Sequence, residues 1–130
     1  MKEKLIKVHK LDNNQELEIY DLSRKIAEDT WVVIAIIRMN ININNLFMKD
    51  EKELPVTIAD IKDILGENVL FEIKIEKNFI HHSNKNNELK QLVDSFLKTN
   101  IGYISKHAFP GKYVLKEYFK KIKNVHHNCS

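Results

Sequence analysis

The stretch from Thr30 to Asn44, TWVVIAIIRMNININ, constrains this chain more than any other. It is dominated by β-branched residues, which lose side-chain freedom in a helix and fit the pleated surface of a strand. Arg38 and the asparagines interrupt it too early for a membrane span, which needs about 20 apolar residues. At a period of two, Trp31, Val33, Ala35, Ile37, Met39, Ile41 and Ile43 form one apolar face. The opposite face carries Val32, Ile34 and Ile36, then turns polar at Arg38, Asn40 and Asn42. A strand that is apolar on both sides at one end is expected in the middle of a sheet.

The neighbouring segments supply elements to pack around it. Lys4 to Leu11 and Glu16 to Tyr20 alternate as strands, and Asp12 to Gln15 between them is rich in turn residues, so a hairpin is expected. Asp21 to Asp29 reads as a polar connection pinned by Leu22 and Ile26. Asn44 to Val56 reads as a loop in which Leu46, Phe47 and Met48 should pack down. Thr57 with Asp60 three residues later resembles a helix cap, and Gly66 fits the end of that short helix. Asn68 to Ile80 alternates again, with Val69, Phe71, Ile73, Ile75 and Phe79 on one side.

Two longer helices are expected at the C-terminal end. After a cap at Ser83 or Asn84, a stripe of Leu89, Leu92, Val93, Phe96, Leu97, Ile101 and Ile104 recurs at helical spacing. The segment His107 to Gly111 breaks it, and Lys112 to Lys123 forms a last helix with Leu115, Tyr118, Phe119 and Ile122 inward. The order β-β-β-α-β-α-α predicts one α+β domain over residues 1–123, an antiparallel sheet of about four strands with helices on one face. Its core should join Trp31, Val33, Ile37, Phe71, Ile73, Leu92, Phe96 and Phe119. Residues 124–130 are expected to be a flexible tail.

Composition narrows the class. With 43% hydrophobic and 30% charged residues, the chain is globular rather than disordered. It has no run of membrane-span length, and Met1 to Lys10 lacks the apolar block of a signal peptide, so a cytoplasmic location is expected. The net charge of +3 does not by itself point to nucleic acid. Arg24 and Arg38 are the only arginines, and the lysines are dispersed among 18 acidic residues instead of gathered on one face. Cys129 is the only cysteine and makes no internal disulfide.

Few residues suggest chemistry. Asp21, Ser23, Arg24 and Arg38 are the candidate ligand-binding residues: Asp21, Ser23 and Arg24 could form an anion-binding turn, with the planar guanidinium gripping a carboxylate or phosphate. The alternative is local: Asp21 and Ser23 cap backbone groups, Arg24 pairs with Glu28 or Asp29, and Arg38 pairs with Glu72 or Glu76. His81 and His82 are adjacent, so in an extended chain they point to opposite sides. His126, His127 and Cys129 lie in the tail, without a supporting shell. No metal site and no cofactor are expected, and phosphate-loop, nucleophile-elbow and His-Glu-x-x-His patterns are missing.

The order Leu17 to Trp31, with Asp21-Leu-Ser-Arg24 and Ala27-Glu-Asp-Thr-Trp31 leading into a long strand, resembles a small bacterial family of unknown function. The likeness extends to Phe109-Pro-Gly-Lys-Tyr-Val-Leu-Lys-Glu-Tyr118. It implies only that Asp21, Ser23, Arg24 and Asp29 belong to a deliberate turn, and it brings no activity with it. Two functions remain open: a non-enzymatic interaction module that self-associates, and a small-anion or small-ligand protein or enzyme with a pocket near Arg24. The first predicts a homodimer through the sheet face of Val32, Ile34, Ile36 and Leu70, because the expected helices leave that apolar surface uncovered.

Overall fold

A computed structural model describes residues 3–45 and 56–129. Five strands form one antiparallel sheet: β1 (Lys4–Lys10), β2 (Glu16–Asp21), β3 (Arg24–Ala27), β4 (Thr30–Asn42) and β5 (Asn68–His81). Three helices accompany it: α1 (Ile58–Leu65), α2 (Lys85–Ile104) and α3 (Phe109–Cys129). The fold is α+β, as the alternation of patterns implies.

β4 is the central strand. On one side it pairs with β5 from Thr30↔His81 to Asn42↔Asn68. On the other side β3 pairs with its first residues and β2 with Ala35 to Arg38, and β1 lies outside β2. β3 falls in the segment expected to be a polar connection, which is why the sheet has five strands. Four residues without alternating apolar character give no periodic signal, yet β4 has backbone groups there that must be paired.

The face of Val33, Ala35, Ile37, Met39 and Ile41 is fully buried under the helices. It meets Val69 and Phe71 from β5, Val93, Phe96 and Ile104 from α2, and Phe109, Val114 and Tyr118 from α3. Two expectations about this core are corrected. Phe119 is 46% exposed, while Tyr118, expected inward beside it, is buried. α3 starts at Phe109, with Pro110 in the first turn where a missing N–H does no harm, and its inward stripe runs through Gly111, Val114 and Tyr118. Phe79 is 80% exposed, because an irregularity between the pairs Val33↔Lys77 and Trp31↔Ile80 shifts the alternation and buries Ile80 instead. Trp31 and Leu92 are half-buried.

The caps divide similarly. Thr57 Oγ1 accepts the Asp60 N–H (3.1 Å), and Gly66 closes α1 at φ 85°. α2 has no side-chain cap at Asn84; a short 3₁₀ turn, His82–Asn84, precedes it, and His81 Nδ1 accepts the Ser83 N–H. The expected packing of Leu46, Phe47 and Met48 lies outside the described residues.

One polar contact ties the hairpin to the helices. Asn13, buried in the β1–β2 turn, donates through Nδ2 to the carbonyls of Ile104 and Lys106 (2.9 Å each) and accepts the Gln15 N–H. It thereby satisfies the Ile104 carbonyl in the last turn of α2, which the helix cannot, while the Lys106 carbonyl in the following loop also accepts the Phe109 N–H. Asn13→Ala should destabilise by about 1–3 kcal/mol, the usual result of stranding a buried acceptor, here the Ile104 carbonyl. Phe71→Ala should cost about 3–5 kcal/mol, while Phe119→Ala should cost under about 1 kcal/mol. Urea denaturation of the three variants checks this ranking.

Candidate functional site

The segment Asp21-Leu-Ser-Arg24 interrupts what would otherwise be one long strand beside β4. Asp21 Oδ1 accepts the Ser23 N–H (2.8 Å), a local turn of the kind that aspartate favours. The Leu22 N–H donates to the Ile34 carbonyl, and Ser23 Oγ accepts the Ile34 N–H (2.9 Å). A hydroxyl therefore replaces a missing backbone acceptor, and the ladder from β2 to β3 continues across the break. Both side chains have structural partners here.

Register separates the four candidate residues. Asp21 lies opposite Ala35, on the helix-covered face. Arg24 lies opposite Val32, on the other face, and is exposed. Arg38 is on the same face as Arg24 but six residues further along β4, about 20 Å away at the usual strand rise. The fold does not bring these residues into one pocket.

Arg38 has its own partners. Its guanidinium donates to both carboxylate oxygens of Glu3 and to Glu72, and it stacks over the Tyr20 ring at 5.0 Å. These hydrogen bonds drive its pKa further up and hold the Glu3 carboxyl below its ordinary value. Tyr20 donates to Glu18 Oε1 (3.1 Å), which raises the phenol pKa. The fork that could grip an external anion is already occupied by two carboxylates.

The cavity near the Asp21 turn is small. Asp21, Ser23, Trp31, Lys85, Asn86 and Leu89 enclose about 40 Å³. That is close to the share of one water, far below the several hundred Å³ of a metabolite pocket. The Lys85 ammonium covers the Trp31 ring at 3.8 Å, and Arg24 is not among the lining residues. The larger hollows lie elsewhere: one of about 520 Å³ at the start of β5 and one of about 360 Å³ beside Phe71, Tyr103 and Phe109 flank α3, and one of about 410 Å³ lies against the β1–β2 hairpin, among Lys10, Gln15, Glu18 and Asn40. Among the described residues, no three His, Cys, Asp or Glu side chains cluster to hold a metal; the side chains of His126, His127 and Cys129 lie outside them.

Among the described residues, the other sheet face carries no helix, yet its apolar stripe is not the uncovered surface that the sequence pattern leads one to expect. Val32, Ile34 and Ile36 are only 3–6% exposed, packed with Tyr20 and Leu22. Around them Leu5, Val8 and Leu70 remain about half-exposed, beside the ion-paired band of Glu3, Arg38 and Glu72. Sequence pattern missed Leu5, Val8 and Glu3 as parts of this surface, because their place depends on the β1 register and its irregularity after Leu5.

No protein-family model, curated protein or solved structure matches the chain.

Ser23→Ala should destabilise by about 1–3 kcal/mol by stranding the Ile34 N–H, whereas Arg24→Ala should change stability by less than about 0.5 kcal/mol. Chemical denaturation separates the two. The Glu3 pKa is depressed in the fold, so its contribution is present above the ordinary carboxylate range and is lost as pH falls through the depressed value. Glu3→Gln should therefore be less stable than the native chain at pH 7, with the difference vanishing in acid, as urea midpoints at pH 7 and pH 3 would reveal.

Proposed function

We propose that this protein is a non-enzymatic interaction module that self-associates through its sheet and presents the helix-free face to protein partners. The observation that carries this reading is that face itself: an apolar stripe sealed within the chain, rimmed by half-exposed Leu5, Val8 and Leu70 and crossed by a fixed band of ion pairs. Apolar side chains grouped around ordered charges suit a protein surface better than a substrate, which needs concavity. Val32, Ile34 and Ile36 have little surface left to give a partner, so the contact falls to the rim.

A ligand site near Arg24 has weaker support. The cavity beside that turn has the volume of about one water, and Arg38 is saturated by carboxylates. Among the described residues, no helix is long and apolar enough to cross a membrane. A cytoplasmic location, partners other than nucleic acid, and kinship with the bacterial family noted above remain parts of the proposal.

Light scattering at micromolar concentration tests it. The expected mass is twice that of the 15.3 kDa chain. A mass of one chain, unchanged on dilution, would overturn self-association. Ile34→Lys should destabilise the fold itself and not merely separate copies, because it forces a charge into a position only 3% exposed.

A further inference from the structure

Among the described residues, three strands have an unpaired edge: β1 pairs only with β2, and β3 and β5 pair only with β4. β3 is four residues long, Arg24–Ala27, too short to carry an interface by itself, so β1 and β5 are the edges to compare. An unpaired edge offers backbone donors and acceptors to another strand, and its side chains decide what it accepts. β1, Lys-Leu-Ile-Lys-Val-His-Lys, carries Lys4, Lys7 and Lys10 with no acidic residue, so a second copy laid along it would set lysine near lysine. β5 differs: Glu72, Lys74, Glu76 and Lys77 mix both signs along one exposed run.

The fold also limits how much of β5 is open. At its start, α3 lies alongside, and the Tyr113 hydroxyl donates to the Leu70 carbonyl (3.5 Å). At its end, the regular ladder breaks after Lys77. Glu72 to Asn78 remains, and its midpoint is Ile75.

We propose that two copies join through these β5 edges, antiparallel about a two-fold axis at Ile75. The inference rests on the self-association reading and names the edge that carries it. In this register Lys74 of each copy lies opposite Glu76 of the other, so the two-fold makes the favourable pair twice. The neighbouring registers fail. An axis at Lys74 opposes Lys74 to itself and Glu72 to Glu76, and an axis at Glu76 opposes Glu76 to itself. An axis at Ile73 would carry pairing back onto the residues flanked by α3. Charge and geometry thus select the same centre.

Two further features fit. Ile73 and Ile75 are only half-buried, although they face the core side. Phe79 stands at the end of the open run, largely in water, at φ 57°, a left-handed conformation that a bulky side chain rarely adopts. In this register Phe79 comes to the end of the paired run, beside the α3 flank of the other copy. Because residues directly opposed across an antiparallel pair share a face, the two helix-free faces join into one continuous surface, with α1, α2 and α3 on the opposite side.

Sedimentation velocity on the full chain tests this with Lys74→Glu and Glu76→Lys, both exposed positions whose only ion pair among the described residues is with each other. Each variant alone should dissociate, its dimer dissociation constant rising about tenfold or more from two like-charge contacts. An equimolar mixture of the two should form a heterodimer, since each supplies the charge the other lacks. Phe79→Ser should also weaken the native dimer. A dimer that survives both single substitutions overturns the edge and leaves self-association standing, and so do variants that stay monomeric after mixing. A native chain that is monomeric throughout the micromolar range removes both readings.

Discussion

The fold depends on keeping β4 dry on two sides at once. A strand with Val33, Ala35 and Ile37 on one face and Val32, Ile34 and Ile36 on the other exposes apolar surface whichever way it turns. Burying one such side chain gains about 1.5–3 kcal/mol, so the stretch is stable only with neighbours along its length and cover on both faces. β5 supplies one neighbour over the whole strand; β2 and β3 share the other side. The helices cover the first face, and Tyr20 and Leu22 close over the second.

Small polar contacts make that arrangement continuous. A single chain path serving as both β2 and β3 must break where it bends, and at the break Ser23 gives a hydroxyl to the Ile34 N–H. The Asp21 carboxylate holds the turn that puts the hydroxyl there. Asn13 does the same at longer range, joining the hairpin to the Ile104 carbonyl in the last turn of α2. In each case a buried backbone group finds a side chain where regular structure has none to offer, and the penalty of leaving it bare explains why such residues stand at these positions.

The same economy bears on function. Arg38 resembles a recognition residue in isolation, yet Glu3 and Glu72 occupy its donors and Tyr20 its face. Asp21, Ser23 and Arg38 are consumed internally, and Arg24 stands exposed apart from them, so the proposed contacts fall to the rim of the sheet face and to its edges. Charge then distinguishes the edges: β1 carries one sign and β5 carries both.

By itself, the sequence determined the α+β class, the central strand with its two unlike faces, the Thr57 cap and the Gly66 stop, because each depends on residues near one another in the chain. Periodicity and capping are local physics. Tertiary structure decided the rest. β3 exists because β4 needs a partner there, although Arg24 to Ala27 carry no strand pattern. Phe79 is thrown outward by a break in pairing that shifts alternation by a residue, and Phe119 lies off the core because α3 begins at Phe109. Arg38 meets Glu3 only because β2 and β4 pair in one register and β1 follows β2. Contacts between residues 35 or 91 positions apart leave no mark on local pattern, and the helix-free face and its free edge are made of such contacts.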